Sequence, residues 1–133
     1  MNRCLVIDTS FIMADLLPDE SGIDIDLALY DIHVPALFYL ECMNVLNVAL
    51  KRKRIKQEDY QEYLQILKQF PLSVDKFSAG SESLHLIGKL SQQFDLSTYD
   101  AAYLELALRL GAKLATLDKK LKAASIKNNI EDS

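Results

Sequence analysis

The sequence has few of the residues that bind soft metals or form disulfide bonds. Its 133 residues include two cysteines, Cys4 and Cys42, and two histidines, His33 and His85. There is no CxxC pair and no Cys/His pair at zinc-ligand spacing. Both cysteines lie in apolar segments, where a buried free thiol is the usual state. We therefore predict neither a zinc site nor a disulfide framework, and we find no Ser–His or Cys–His arrangement for nucleophilic catalysis.

The chain also lacks a long apolar run and an excess of positive charge. No stretch reaches the roughly 18 uncharged apolar residues of a membrane span. The apolar run after Arg3 ends at Asp8, which makes it too short for a signal peptide. We accordingly expect a cytoplasmic protein without a membrane segment. The net charge of −4 argues against a generally basic nucleic-acid-binding protein but allows a local basic patch.

Short apolar runs alternate with helical patterns along a sequence that is half hydrophobic. The runs predict strands at 5–7, 32–34, 72–74 and 114–117. The helical patterns predict helices at 11–17, 23–30, 35–52, 57–70, 81–94, 100–110 and 119–124. We find no repeat and no linker. This order predicts one domain over residues 1–133, a three-layer α/β/α sandwich with a short, mostly parallel sheet.

Two helix starts are predicted from local signals. Thr9 and Ser10 are expected to cap the first helix, because their hydroxyls can accept backbone N–H groups. Pro35 is expected in the first turn of the third helix, where its missing N–H costs nothing. That third helix is apolar on almost every side, which predicts burial all round.

Four acids stand where an acid is locally unexpected. Asp8 and Asp118 follow two apolar strands, Glu41 is the one charge in the apolar segment 35–50, and Asp100 opens a mostly apolar helix. Because the carboxyl ends of parallel strands meet at one sheet edge, Asp8 and Asp118 must share that edge. The start of the Asp100 helix can face the same edge. Four carboxylates without counter-charges repel one another and call for a cation.

All-oxygen ligands favour a hard ion, Mg²⁺ or Mn²⁺. Such an ion binds phosphate oxygens and lowers the pKa of a bound water, and two ions about 4 Å apart also stabilise the attacking and leaving oxygens. The acids therefore predict metal-dependent phosphodiester hydrolysis. A simpler interpretation of each acid alone stays open. Asp8, Asp100 and Asp118 can each stabilise a helix start, and Glu41 can pair with a basic residue.

Four segments in order resemble the successive motifs of PIN-domain ribonucleases. They are Val-Ile-Asp-Thr-Ser at 6–10, Pro-Ala-Leu-Phe-Tyr-Leu-Glu-Cys-Met-Asn-Val-Leu at 35–46, Thr-Tyr-Asp-Ala-Ala-Tyr-Leu-Glu-Leu-Ala at 98–107 and Leu-Ala-Thr-Leu-Asp at 114–118. Their order and the chain length look most like VapC-type toxins of bacterial toxin–antitoxin pairs. The resemblance implies a metal-dependent endoribonuclease that hydrolyses RNA phosphodiester bonds, is often a homodimer and is inhibited by a cognate antitoxin.

The resemblance also assigns the catalytic and metal-binding residues. Asp8, Glu41, Asp100 and Asp118 match the acidic quartet of the family, which binds Mg²⁺ or Mn²⁺. The family often has an aromatic residue a few positions after the last aspartate, and Leu121 occupies that region here. This departure concerns packing and leaves the proposed metal site complete.

Three further polar residues are assigned supporting roles. Ser10 and Thr116 match small hydroxyl residues beside the quartet, which would orient a ligand or position a phosphate. Asn44 lies one helical turn after Glu41 and is a candidate to orient that carboxylate. Glu105 is rotated about 140° from the first acid of its helix, so we expect it to be a surface or interface acid.

A basic cluster follows the second motif. It consists of Lys51, Arg52, Lys53, Arg54 and Lys56. The cluster can be a solvated helix end, or it can contact RNA phosphates with salt-dependent affinity. The segment 57–96 carries no motif that identifies a substrate or partner.

Two other functions compete with the nuclease. The first is a catalytically inactive PIN-like module that binds RNA or a protein, which the retention of all four acids disfavours. The second is a phosphatase with an aspartate nucleophile at Asp8. Those enzymes need a second aspartate two residues later, where this chain has Ser10.

Overall fold

A parallel sheet organises the structure, a computed structural model that describes residues 2–17 and 25–130. Its four strands in that part of the chain are β1 (Arg3–Ile7), β2 (Tyr30–Pro35), β3 (Ser73–Asp75) and β4 (Lys113–Ala115). They lie in the order β3-β2-β1-β4, and every neighbouring pair is parallel. Strand β1 is central, and Leu5, Val6 and Ile7 are fully buried, as expected for a sheet covered on both faces.

Helices connect and cover the strands. They are α1 (Thr9–Leu16), α2 (Phe38–Lys51), α3 (Gln57–Gln69), α4 (Leu84–Phe94), α5 (Thr98–Leu110) and α6 (Lys119–Lys127). Helix α5 packs against β1, β2 and β4, and its residues 101–107 are all buried. Helical crossovers between parallel strands produce this layering. The predicted α/β class and parallel sheet are confirmed. No helix within the described ranges is long and apolar enough to cross a membrane.

Two predicted helix starts are wrong. Asp8, not Thr9 or Ser10, is the N-cap of α1, because its carboxylate accepts the Phe11 N–H at 3.0 Å. Pro35 is the last residue of β2, and α2 begins only at Phe38. The proline ring fixes a backbone angle that both a strand end and a helix start accept, so its presence did not distinguish them.

The predicted 23–30 helix is replaced by a shorter element where the chain is described. A 3₁₀ turn forms at Leu27–Leu29, with the Asp26 carboxylate accepting the Ala28 N–H at 3.1 Å. Residues 23 and 24 lie outside the described residues. The remaining helices and strands begin and end within three residues of the predicted bounds.

Helix α2 is buried on one side only. Leu40 is 67% exposed and Val48 is 37% exposed, while Phe38, Cys42 and Leu46 are fully buried. The prediction of burial all round is therefore wrong. An apolar composition indicates that a helix can be buried. Which of its sides is covered depends on the elements that the topology places beside it.

Glu105 is not the surface acid that its helix angle predicted. It is 3% exposed and lies in the buried stretch of α5. Arg109, one turn later, donates to it from Nε at 2.7 Å and continues to Asp75 at the end of β3, also at 2.7 Å. The Arg109 guanidinium also lies 4.9 Å from the centre of the Phe77 ring. This ion-pair network joins α5 to the β3 end.

Candidate metal centre

Asp8 is held at the carboxyl end of β1 by three donors. Its Oδ1 accepts the Phe11 N–H at 3.0 Å and the Ser10 hydroxyl at 2.7 Å, and its Oδ2 accepts the Thr116 hydroxyl. The side chain is 4% exposed. Burial raises the pKa of the carboxyl, although the three hydrogen bonds oppose that shift. An ionised carboxylate has about four acceptor positions, so one remains, on Oδ2.

The segment after β4 is tied to Asp8 by two hydroxyl groups. Thr116 donates to Asp8 and accepts the Asp118 N–H at 3.0 Å, while Ser10 donates to Asp8 and accepts the Leu117 N–H at 3.0 Å. Asp118 caps α6 by accepting the Leu121 N–H at 2.9 Å. The two hydroxyls therefore link the ends of β1 and β4, and their predicted role in orienting a metal ligand or a phosphate stays a prediction.

Glu41 is held by two hydroxyl donors that the sequence did not identify. The Tyr103 hydroxyl donates to its Oε1 at 2.6 Å, and the Thr9 hydroxyl donates to the same oxygen at 3.2 Å. Glu41 has no basic partner within the described residues, so the simpler salt-bridge interpretation fails for that part of the chain. Tyr103 could have been singled out in the sequence, because it places a hydroxyl group within the apolar run of α5.

Asp100 lies near the other three acids at the start of α5. Its N–H donates to the Ser97 side chain at 3.1 Å. The pKa of its half-buried carboxyl is raised to about 6, first by burial and then by the negative charges of Asp118, Asp8 and Glu41. The structure therefore brings all four predicted acids into one region, where the other three disfavour the charged form of Asp100.

The four acids share a second property, since each stands at the start of a helix. Asp8 and Asp118 are N-caps of α1 and α6, and Glu41 and Asp100 lie in the first turns of α2 and α5. A helix start carries roughly half a positive charge, which stabilises a nearby carboxylate. Four such ends offset part of the mutual repulsion without a basic residue.

A cleft of about 410 Å³ opens beside Glu41. Thr9, Ser10, Asn44 and Arg54 line it as well. Asn44 is exposed and has no described hydrogen bond to Glu41, so its orienting role stays a prediction. Arg54 brings one member of the predicted basic cluster to the cleft beside Glu41.

The other members of the basic cluster lie at the exposed end of α2 and in the loop that follows. They are Lys51, Arg52, Lys53 and Lys56, all exposed. Their positions fit both interpretations given above. In both, the charges are solvated and available to a mobile anionic ligand.

The donor set fits a hard cation by chemistry and charge. The candidate ligands are carboxylate oxygens, and no described ion pair involves any of the four acids. As they stand, no three Asp, Glu, His or Cys side chains within 2–17 and 25–130 form a ready metal cage. Mg²⁺ does not need one, because it usually retains several waters and binds through one or two carboxylates.

We expect the metal-free protein to lose stability as pH rises from about 4 to 7. The folded Asp100 has a pKa of about 6 against an ordinary value of 3.8. Between those values the folded state binds more protons than the unfolded state, so the free energy of unfolding falls with rising pH. Asp100→Asn should flatten this dependence and raise the melting temperature at neutral pH.

Thermal unfolding in EDTA across this pH range measures the effect. Asp31→Asn is the matched control, because Asp31 is exposed on β2 and paired in register with Cys4, toward the other end of the sheet. An Asp100→Asn profile as steep as that of the wild type would contradict the prediction.

The sequence and the fold both match known proteins. The model of the PIN domain family matches residues 5–127. Ribonuclease VapC3 of Pyrobaculum aerophilum is 30% identical over 120 residues, which are 88% of this chain and 91% of that protein.

Two solved structures are similar in fold. The crystal structure of PAE2754 from Pyrobaculum aerophilum has a TM-score of 0.65 and 20% identity, covering 93% of this chain and 86% of that one. The crystal structure of FitAcB from Neisseria gonorrhoeae has a TM-score of 0.60 and 16% identity, covering 92% and 93%. At these identities the two structures bear on the fold alone.

Proposed function

Because the chain belongs to the PIN-domain family, we propose that it is an endoribonuclease that hydrolyses RNA phosphodiester bonds with Mg²⁺ or Mn²⁺. One observation carries the proposal. Asp8, Glu41 and Asp118 together disfavour the charged form of Asp100, and none of the four acids has a basic partner among the described ion pairs. A divalent cation is the partner that this charge requires.

In this proposal the four acids hold the metal, and the rest of the site holds the acids. When bound, the ion supplies a water of lowered pKa and neutralises phosphate charge. Asp8 offers its remaining Oδ2 position, and the Ser10 and Thr116 hydroxyls keep that carboxylate fixed. Hydrolysis by an activated water needs no side-chain nucleophile, which agrees with the composition of the sequence.

RNA would approach across the cleft and the basic cluster. Arg54 lines the cleft beside Glu41, and the exposed lysines continue from it. Phosphate contacts of this kind give affinity without reading the bases. The cluster therefore accounts for how an acidic protein could retain an RNA strand near four carboxylates.

The biological setting of the proposal is that of a toxin. The similarity to a protein named ribonuclease VapC3 supports a toxin that a cognate antitoxin protein inhibits. We propose that the chain acts in the cytoplasm as a homodimer, with the nuclease formed by one domain over residues 1–133. The resemblance of all four motifs to VapC-type toxins supports this assignment.

We expect purified protein to cleave a structured RNA in the presence of Mn²⁺ or Mg²⁺ and to lose that activity in EDTA. Added metal should restore cleavage, because the acids remain oriented by their hydrogen bonds. Gel analysis of the RNA products measures this. Cleavage that persists in EDTA would overturn the proposal, and RNA binding without cleavage under all metal conditions would favour the inactive binding module.

A further inference from the structure

Two hydroxyl oxygens form a triangle with one oxygen of Glu41. The Tyr103 hydroxyl lies 2.6 Å and the Thr9 hydroxyl 3.2 Å from Glu41 Oε1, and the two hydroxyls are 3.4 Å apart. No hydrogen bond described for this side chain reaches Oε2. The two oxygens of Glu41 therefore differ, since one is engaged by protein donors and the other is available.

Tyr103 is a rigid donor. Its side chain is 1% exposed and lies in the buried core on α5, so packing fixes where the hydroxyl points. Burial and the neighbouring Glu41 raise the pKa of the phenol, so the hydroxyl stays protonated and donates a hydrogen bond to Glu41 Oε1. Thr9 begins α1, immediately after Asp8. The Glu41 carboxylate is thus connected to two elements that carry other acids of the site.

Glu41 itself is less constrained than its partners. It is half-buried on α2 and lines the cleft, so water can reach its carboxylate. A glutamate side chain also has several rotamers to lose when it binds a ligand. Hydrogen bonds to Oε1 restrict the side-chain rotamers before a ligand binds. Because the carboxylate is planar, fixing Oε1 also fixes the direction of Oε2.

We propose that Tyr103, assisted by Thr9, is a positioning residue that fixes Glu41 so that Oε2 is presented to the metal. The inference rests on the proposed function, because it gives Glu41 a metal to bind. Tyr103 does not touch the substrate or the ion, and acts through Glu41. A purely structural role would instead make the hydroxyl a contributor to core stability alone.

Tyr103→Phe separates the two roles, because phenylalanine fills the same space and removes only the hydroxyl. We expect the Mn²⁺ affinity, measured by calorimetric titration, to fall about 10- to 100-fold, as for other residues that orient a metal ligand. At subsaturating Mn²⁺, kcat should fall while KM for RNA stays unchanged. Saturating Mn²⁺ should recover most of kcat.

Further variants test the route through Glu41. Thr9→Val should reduce Mn²⁺ affinity in the same direction but by less, and Thr9→Ser should retain it. In a Glu41→Gln background, Tyr103→Phe should cause little additional loss of affinity, because the two side chains act as a unit. Tyr63→Phe, on the outer helix α3, is the matched control and should bind Mn²⁺ as the wild type does.

The outcomes distinguish this inference from the proposed function. If the wild type binds Mn²⁺ and cleaves RNA, but Tyr103→Phe and Thr9→Val bind Mn²⁺ with wild-type affinity, the positioning role is wrong and the nuclease proposal stands. If the wild type neither binds Mn²⁺ nor cleaves RNA, both fail. Should Tyr103→Phe not fold, wild-type Mn²⁺ affinity in Thr9→Val is sufficient to overturn the inference.

Discussion

Asp8→Asn is expected to reduce RNA cleavage by at least about 100-fold without unfolding the protein. Residues that merely orient a metal ligand cost about 10- to 100-fold when replaced, so loss of a ligand charge should cost at least the upper figure. Asparagine retains a carbonyl oxygen that can accept the Phe11 N–H and cap α1, because Asn and Asp are similar N-caps. What disappears is the negative charge on Oδ2.

The stability of this variant provides a second measurement. Burial raises the pKa of Asp8, which means that its charged form is disfavoured in the folded metal-free protein. Asp8→Asn should therefore melt in EDTA at the wild-type temperature or above it, even though its cleavage is lost. Asp31→Asn is the control for both assays. Wild-type cleavage by Asp8→Asn would remove this acid from the proposed metal site.

Arg109→Met is expected to give the largest loss of stability. It leaves Glu105 buried, charged and without its partner. Breaking a buried pair costs about 3–5 kcal/mol, and because Arg109 is 36% exposed we reduce this to about 2–3 kcal/mol. For a chain of this size that corresponds to a fall in melting temperature of about 10 °C.

The cause can be tested through a second substitution. Adding Glu105→Gln should recover part of the loss at neutral pH. Lys120→Met is the comparison, because it breaks the exposed Lys120–Asp95 pair and should change stability little. Equal losses in Arg109→Met and Lys120→Met would contradict the argument.

The sequence alone was sufficient to predict that Asp8 and Asp118 lie at the same sheet edge, because the geometry of parallel strands requires it. Both follow apolar strands, and the carboxyl ends of such strands must share an edge whatever the remaining packing is. The fold class followed from the same alternation of strands and helices. These inferences depend on backbone geometry, which local sequence determines well.

The contacts of α5 and α2 depended on information that the local sequence does not contain. The helical angle places Glu105 on a different side of α5 from Asp100. That side is also covered, so Glu105 is buried and not at the surface. Conversely, Leu40 is apolar and yet exposed, because no described element covers that side of α2. The Tyr103–Glu41 hydrogen bond joins residues that are 62 positions apart, so only the tertiary structure reveals it.

Because all four acids stand at helix starts, their presence in a related protein can reflect helix stability as well as catalysis. A descendant that lost nuclease activity would still gain from an acid or asparagine at those positions, because helix starts favour them. Retained acids are thus weak evidence that a relative is an active enzyme. The hydroxyl of Tyr103 has no such second benefit, since phenylalanine would fill the core equally well. Drift from tyrosine to phenylalanine at this position is the change we expect in lineages released from selection for catalysis.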